Sequence, residues 1–217
     1  MLIVGHRGNT WRIIRRYLAS KTPVIEVDAR YMNGDFYAVH GPPAIRRPSL
    51  PGKVMAWIDY HFFYRDPILK PLKVREILEY LNGKADVMID IKQRGIEDKI
   101  IGLIEETGYR GRVYITTELH PVLKRLRELV GRKYTLIASI NILAVDMPRI
   151  ALDAEADMVS IHLSIIDEKL VDEFHRHNIR VLSWTVNDLE TYEYLKRIGV
   201  DGIVTDTPSL FLRNRKV

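Results

Sequence analysis

Three acidic residues occur inside otherwise apolar segments of the chain. Glu26 and Asp28 lie in PVIEVD, and Asp90 lies in VMIDIK. Because side chains alternate along a strand, Glu26 and Asp28 share one face, and Ile25 and Val27 share the other. An unpaired buried carboxylate costs several kcal/mol, and neighbouring carboxylates repel each other. We therefore expect a cation among them, and three carboxylates suit a hard divalent ion such as Mg²⁺ or Ca²⁺, with Mn²⁺ as a further candidate.

Two histidines and two cationic residues occupy similar positions. His6 and Arg7 directly follow the apolar run LIVG, His40 ends an extended stretch, and Lys92 shares a strand face with Asp90. Two histidines beside a carboxylate cluster suggest a general acid and a general base. Fixed positive charge from Arg7 and Lys92 next to a metal suits a phosphate group better than a neutral substrate.

Two of these interpretations have plain structural alternatives. The carboxylates can instead pair with Lys92, Arg7 or Arg30 in a network that only stabilises the fold. Trp184, in the segment SWTVN, is expected either to form an apolar wall for the organic part of a substrate or simply to pack. The sequence alone leaves both pairs of alternatives open.

Short apolar runs that alternate with helical patterns must position these residues. One helix face carries Ile166, Leu170 and Phe174, and Asn187 with Glu190 three positions later predicts the start of another helix. Apolar strands that are each followed by a helix predict an α/β fold with a parallel sheet. A doubly wound open sheet also fits, but the count of eight and the lack of GxGxxG after the first strand favour a (β/α)8 TIM barrel. The eight runs are LIVG, PVIEVD, ADVMIDIK, RVYIT, YTLIAS, ADMVSIH, IRVLSWTV and DGIVTD.

In such a barrel the polar residues lie at the C-terminal ends of the strands, where barrel enzymes build their sites. We expect a single domain over residues 1–217 with a small loop excursion after the second strand. Asn33-Gly34 is a hairpin turn signal, and the segment from Gly41 to Lys70 is the predicted excursion. Its aromatic residues either pack onto the barrel, which we favour, or meet a lipid surface. These residues are Trp57, Phe62, Phe63 and Tyr64.

Composition narrows the classes of partner and compartment. The net charge is +5, but the cationic residues are scattered and form no stripe interleaved with aromatics, so we expect no nucleic-acid partner. The chain has no cysteine, which excludes disulfides and thiolate metal sites. No apolar run approaches the roughly 20 residues of a spanning helix, and the first residues do not fit a signal peptide. We expect a cytoplasmic protein without stable membrane insertion, and the oligomeric state stays undetermined.

Several motifs in order resemble those of the glycerophosphodiester phosphodiesterase family. They are His6-Arg7-Gly8, the ExD of Glu26 and Asp28, His40, the acidic-Ile-Lys triplet at 90–92, SWTVN, and GVDGIVTDTP. The resemblance runs from His6 to Pro208. It implies a (β/α)8 barrel and metal-dependent hydrolysis of a small-molecule glycerophosphodiester to glycerol 3-phosphate and an alcohol.

The resemblance also implies a role for each candidate residue. Glu26, Asp28 and Asp90 correspond to metal ligands, His6 and His40 to the acid/base pair, Arg7 and Lys92 to phosphate contacts, and Trp184 to the substrate wall.

The chain departs from the family pattern at three points. Only Asn9-Thr10 follows the HRG, where the family commonly has Pro-Glu-Asn-Thr, and Gly41 follows His40 where an aspartate is usual. Asp90 stands where the family usually has glutamate. Two alternatives therefore stay open: a phospholipase D-like enzyme acting on lysophospholipids, and a catalytically inactive barrel that binds a phosphorylated ligand.

Overall fold

The computed structural model describes residues 1–41, 51, 54 and 71–213 of the chain. The strands are β1 (Leu2–Gly5), β2 (Val24–Met32), β3 (Asp35–Tyr37), β4 (Asp86–Ile91), β5 (Val113–Thr117), β6 (Thr135–Ile140), β7 (Met158–His162), β8 (Arg180–Trp184) and β9 (Gly202–Thr205). The helices among these residues are α1 (Trp11–Ala19), α2 (Val74–Leu81), α3 (Glu97–Glu106), α4 (His120–Val130), α5 (Met147–Asp153), α6 (Glu168–Arg176), α7 (Leu189–Arg197) and α8 (Pro208–Arg213).

Eight of the strands close into a parallel barrel. Their order around the sheet is β1-β9-β8-β7-β6-β5-β4-β2. The barrel closes because β1 also pairs with β2, with Val4 opposite Val24 and Gly5 opposite Ile25. The (β/α)8 TIM barrel predicted from the eight apolar runs is thus confirmed.

Apolar residues on both faces of each strand account for this architecture. Side chains that point into the barrel form one small core, while those on the other face join the helices in a larger core. The inner core consists of Val4, Val24, Met88, Tyr114, Ile137, Met158, Leu182 and Val204. All eight are buried, so the barrel interior is packed below its C-terminal mouth.

The predicted helix stripe of Ile166, Leu170 and Phe174 is buried as expected, but one capping prediction is wrong. Asp188, and not Asn187, is the N-cap of α7, where its carboxylate accepts a hydrogen bond from the Thr191 backbone N–H at 2.8 Å. The Asn187 side chain is instead bonded to Asp206 and Thr205 of the neighbouring strand end. Asn187 and Asp188 are both good capping residues, so the local sequence did not distinguish them.

The predicted hairpin is present after β2. Strand β3 pairs antiparallel with the end of β2, and both turn residues have positive φ, 51° at Asn33 and 86° at Gly34. This is the geometry that an Asn-Gly turn favours.

Of the predicted excursion from Gly41 to Lys70, only Gly41, Pro51 and Val54 belong to the described residues. Trp57, Phe62, Phe63 and Tyr64 lie outside them, and the single domain over 1–217 stays a prediction. None of the helices in the described part of the chain is both long and apolar enough to cross a bilayer. The cytoplasmic location stays a prediction.

Candidate active site

The C-terminal ends of neighbouring strands bring the predicted acidic residues together. Strands β2 and β4 pair in parallel, and their register puts Asp28 directly opposite Asp90 and Glu26 opposite Met88. One carboxylate oxygen from each of Glu26, Asp28 and Asp90 can be chosen so that all three atoms lie within 4.8 Å of one another. The structure therefore places the predicted metal ligands in a single cluster.

The tight turn that follows β1 contacts this carboxylate cluster through its backbone. The backbone N–H of Gly8 donates to the Glu26 carbonyl at 2.6 Å, and a Cβ added at Gly8 would lie 2.5 Å from the Ile25 side chain. The position therefore requires glycine because the backbone approaches β2 so closely. The same turn lets the Arg7 backbone N–H donate to the Glu26 carboxylate at 2.5 Å.

Asn9 holds Asp28 in place from the same turn. The Asn9 amide donates to the Asp28 carboxylate at 2.7 Å and accepts from the Asp28 backbone N–H at 3.1 Å. Both residues are buried. Asn9 was not predicted as a site residue, although its position directly after the HRG motif was the available signal.

Lys92 gives the cluster partial charge compensation. Its ammonium lies 3.1 Å from the Asp28 carboxylate and 2.5 Å from that of Asp90. The structural alternative predicted from the sequence is therefore met in part, because Lys92 pairs with two of the three carboxylates. One ammonium against three carboxylates still leaves an excess of negative charge.

The pKa values of these groups reflect the imbalance. Burial, reinforced by Asp28 and Asp90, raises the pKa of Glu26 well above its usual value. Burial also raises the pKa of Asp90 to about 6. At Asp28 the effect of burial is outweighed, and Lys92 followed by His40 lowers the pKa. The pKa of Lys92 is raised despite its burial, because Asp90, Asp28 and Glu26 favour the charged ammonium.

The donor set fits a hard divalent cation. One oxygen of Asp90 is buried and forms no hydrogen bond within the described part of the chain, and one buried oxygen of Asp28 faces the Lys92 ammonium at 3.1 Å without forming a hydrogen bond. Burying such an acceptor is costly unless something binds it. Carboxylate oxygens are the ligands that Mg²⁺ and Ca²⁺ prefer, and a double positive charge would offset the excess negative charge left beside Lys92.

His6 is held by a carboxylate at the end of the last barrel strand. Its Nδ1 lies 2.9 Å from the Asp206 carboxylate, and its backbone carbonyl accepts from the Tyr17 hydroxyl at 2.7 Å. Because a carboxylate only accepts, Nδ1 carries a hydrogen and Nε2 is the nitrogen left for proton transfer. Asn187 donates to the other oxygen of Asp206 at 3.0 Å, which fixes that carboxylate in turn.

His40 reaches the same pocket from the segment after β3. The Arg30 guanidinium donates to the His40 carbonyl through Nε at 3.1 Å and Nη2 at 3.0 Å, which fixes the backbone at this position. Burial lowers the pKa of His40 to about 3, and nearby Lys92 and Arg7 act in the same direction while Asp28 opposes them. His40 is therefore neutral near pH 7 and can accept a proton.

The barrel mouth forms a cavity of about 50 Å³ that joins the predicted groups. The predicted site residues on its wall are His6, Arg7, Glu26, His40, Asp90, Lys92 and Trp184, and Asp28 lies beneath them, fully buried. The Trp184 indole N–H donates to the Ser160 carbonyl at 3.1 Å. The indole also packs edge-to-face against the His162 ring, with 4.9 Å between the ring centroids. Trp184 is therefore both packed and part of the cavity wall.

Sequence reasoning missed some residues at the mouth. Asp206 ends the run DGIVTD and was not predicted as a site residue, although a polar residue at the end of a barrel strand is the same signal that identified Asp28 and Asp90. Other unpredicted polar residues on the wall lie on or just after neighbouring strands. They are Thr116, Glu118, Ser139 and Ser160.

Comparison with known proteins agrees with this geometry. A glycerophosphodiester phosphodiesterase from Caldanaerobacter subterraneus subsp. tengcongensis is 29% identical to this chain over 97% of it and 96% of the relative. A crystal structure of glycerophosphodiester phosphodiesterase from Agrobacterium tumefaciens has a TM-score of 0.74 at 18% identity and covers 98% of this chain and 99% of its own. The structure of an Oleispira antarctica phosphodiesterase in complex with the product sn-glycerol-3-phosphate has a TM-score of 0.75 at 14% identity. The match covers 100% of this chain and 97% of the other.

At these identities the two structures support the fold alone. The sequence profile described as the glycerophosphoryl diester phosphodiesterase family matches residues 64–210, which is more than half of the chain. The family and enzyme class expected from the motifs, a glycerophosphodiester phosphodiesterase, are therefore confirmed. The chain belongs to the glycerophosphoryl diester phosphodiesterase family.

Proposed function

We propose that this enzyme hydrolyses glycerophosphodiesters to glycerol 3-phosphate and an alcohol, that it needs a divalent cation, and that His6 and His40 are its acid/base pair. One observation carries the proposal. Three carboxylates have oxygens within 4.8 Å of one another, and two of them, Glu26 and Asp90, line one pocket together with two histidines, an arginine and a lysine. The related enzymes with full-length matches carry the same activity in their names.

Glu26, Asp28 and Asp90 are the groups that would hold the cation, for which Mg²⁺ and Ca²⁺ are the first candidates and Mn²⁺ a third. When bound, such an ion supplies Lewis-acid stabilisation of negative charge on the phosphate oxygens. Asn9 and Lys92 keep the Asp28 and Asp90 carboxylates in place for this purpose, through the contacts described above.

Arg7 and Lys92 supply fixed positive charge to the substrate phosphate. Both side chains line the pocket, and Lys92 is held between Asp28 and Asp90 before any substrate binds. Cations fixed in advance stabilise developing charge without having to reorganise during the reaction. Trp184 would form the wall against which the organic part of the substrate lies.

The two histidines move the protons. One takes a proton from the attacking nucleophile, and the other gives a proton to the departing alkoxide. The nucleophile is water or the neighbouring glycerol hydroxyl, and in the second case water then opens the cyclic phosphate to give glycerol 3-phosphate. Each proton transfer of this kind contributes about 10²- to 10⁴-fold in rate. His6 is oriented for this by Asp206, and His40 by the contact of Arg30 with its backbone.

A turnover assay tests the proposal directly. We expect the protein, with Mg²⁺, Mn²⁺ or Ca²⁺ added, to release glycerol 3-phosphate from glycerophosphocholine. EDTA should abolish the release, and an excess of the same ion should restore it. Undiminished hydrolysis in EDTA would contradict the role of the metal.

The same assay distinguishes the alternatives left open by the sequence. Binding of glycerol 3-phosphate without turnover under any ion would favour an inactive phosphate-binding barrel. Turnover of lysophosphatidylcholine but not of glycerophosphocholine would favour a lysophospholipid substrate. The aromatic segment on which that second alternative depends lies outside the described residues.

A further inference from the structure

A second and much larger cleft adjoins the barrel mouth. It has a volume of about 550 Å³ and shares His6, Arg7 and Trp184 with the smaller pocket of about 50 Å³. Its other wall is the first two turns of α1, including Arg12 and Arg16. The cleft therefore adjoins the inner pocket at His6, Arg7 and Trp184.

The cleft is strongly cationic. Arg12 and Arg16 are four residues apart on α1, so they lie on the same face of the helix. Neither side chain forms an ion pair within the described part of the chain. The Arg16 guanidinium donates from Nη2 to the Asp206 backbone carbonyl at 3.0 Å and lies 5.3 Å from the centre of the Tyr17 ring. Arg7 adds a third guanidinium at the junction with the inner pocket.

The only carboxylate on the described wall of this cleft belongs to Asp206, and its oxygens already have partners. One lies 2.9 Å from His6 Nδ1, and the other accepts from Asn187 at 3.0 Å. On the described wall, the guanidinium groups of Arg12 and Arg16 therefore border a space whose one carboxylate already has partners. Such a space attracts an anion of a size that the inner pocket does not accommodate.

We infer that the cleft between α1 and Trp184 binds the leaving alcohol, and that Arg12 and Arg16 select glycerophosphodiesters whose alcohol bears an anionic group such as a phosphate. The inference rests on the proposed function and deepens it by naming the substrate class. Guanidinium groups bind phosphate through paired, charge-assisted hydrogen bonds. Both arginine side chains are exposed, so solvent screens their charges and each one contributes only modestly to the preference for an anionic alcohol.

The first experiment compares two substrates that differ by one phosphate, glycerophosphoinositol and glycerophosphoinositol 4-phosphate. The wild-type enzyme should have the higher kcat/KM for the phosphorylated substrate. In the double variant Arg12→Gln/Arg16→Gln, the ratio of the two kcat/KM values should fall about 10-fold, and added salt should lower the wild-type ratio in the same direction. An unchanged ratio, or a wild-type preference for the unphosphorylated substrate, would overturn the inference.

Arg15→Gln is the matched control. Arg15 is an exposed arginine of the same helix that does not line the cleft, so this variant removes one positive charge from α1 outside the cleft. It should leave the ratio unchanged. A fall in the ratio as large as that of the double variant would show that net charge alone is responsible and would contradict the inference.

Equilibrium binding of inositol 4-phosphate, measured in EDTA, separates this inference from the proposed function. The wild-type protein should bind it about 10-fold more tightly than the double variant does. Binding without any diester hydrolysis would contradict the proposed function and support the cleft. Hydrolysis with equal binding by wild type and double variant would support the function and contradict the cleft.

Discussion

Carboxylates at the two ends of the barrel differ in their spacing and in their hydrogen-bond partners. At the N-terminal end, Asp86, Asp157 and Asp201 lie at or just before the starts of three different strands, and each accepts a backbone N–H from the adjacent strand. At the C-terminal end, Glu26, Asp28 and Asp90 crowd within reach of one another and share a single lysine. The first arrangement spreads negative charge, and the second concentrates it.

Asp157 illustrates the N-terminal arrangement most completely. Its carboxylate accepts from the Leu136 backbone N–H at 2.8 Å and from the buried Arg127 at 2.7 Å, and it also pairs with Arg132. Arg127 in turn donates to the carbonyls of Glu155 and Gly131. Every charged group in this cluster has a partner, which is the pattern of a contact that stabilises the fold.

The difference between the two ends of the barrel distinguishes carboxylates that stabilise the fold from those of the candidate site. A structural carboxylate has its hydrogen bonds satisfied within the chain, whereas Asp90 retains a buried oxygen that accepts none from the described residues, and Asp28 and Asp90 share the single ammonium of Lys92. Barrels build their sites at the C-terminal end of the strands and their stability at the other end. Substitutions at the two ends of the barrel test that division.

The histidines at the C-terminal end should dominate activity. His6→Asn and His40→Asn should each lower kcat on glycerophosphocholine by about 10²- to 10⁴-fold, because each removes one proton transfer. The thermal unfolding midpoint should stay close to that of the wild type. His177→Asn, at the exposed end of α6, is the control and should keep full activity. Full activity in either of the first two variants would contradict the acid/base assignment.

The N-terminal end should dominate stability. Asp157→Ala leaves the Leu136 N–H and the Arg127 guanidinium without their shared acceptor, so the free energy of unfolding should fall by about 2 kcal/mol in urea denaturation. Metal-dependent turnover should be unchanged. Asp153→Ala is the control, because Asp153 is an exposed residue paired with the exposed Arg149, and its loss should cost less than about 0.5 kcal/mol. Equal losses in the free energy of unfolding of the two variants would contradict the stabilising role of the contacts around Asp157.

At the C-terminal end, removing a carboxylate should stabilise the metal-free protein. Glu26→Gln keeps an oxygen for the Arg7 N–H but removes a buried charge, so the free energy of unfolding in EDTA should rise by about 1 kcal/mol while activity is lost. The folded-state pKa of Glu26 is raised, so its charging costs stability as the pH rises above the ordinary value of 4.5. The gain should therefore shrink as the pH falls towards 4. A destabilised variant at neutral pH would contradict this account.

The fold could be predicted almost completely from sequence because buried parallel strands are apolar on both faces. The runs from LIVG to DGIVTD correspond to the eight barrel strands. Helix α5 was not predicted, since it has only seven residues with Pro148 near its start and therefore too few turns to show a stripe. The cap of α7 was misplaced by one residue because Asn187 and Asp188 have similar capping preferences.

The site could be predicted in part, where a polar residue interrupts an apolar strand. That signal found Glu26, Asp28 and Asp90, which the structure brings together. It did not find Asn9, whose role depends on how closely the turn after β1 approaches β2. It also did not find the arginine cleft, because Arg12 and Arg16 look in sequence like any solvated helix face, and only the fold shows that they border the barrel mouth.

The central claim is that Glu26, Asp28 and Asp90 together bind one divalent cation. The most direct measurement is a calorimetric titration of the EDTA-stripped and dialysed protein with Mn²⁺, Mg²⁺ and Ca²⁺, carried out in parallel on Asp28→Asn and on the N-terminal control Asp86→Asn. At least one of these ions should bind to the wild type and to Asp86→Asn with a stoichiometry of one per chain, and this binding should be lost in Asp28→Asn. Failure of all three ions to bind the wild type, or unchanged binding in Asp28→Asn, would contradict the central claim.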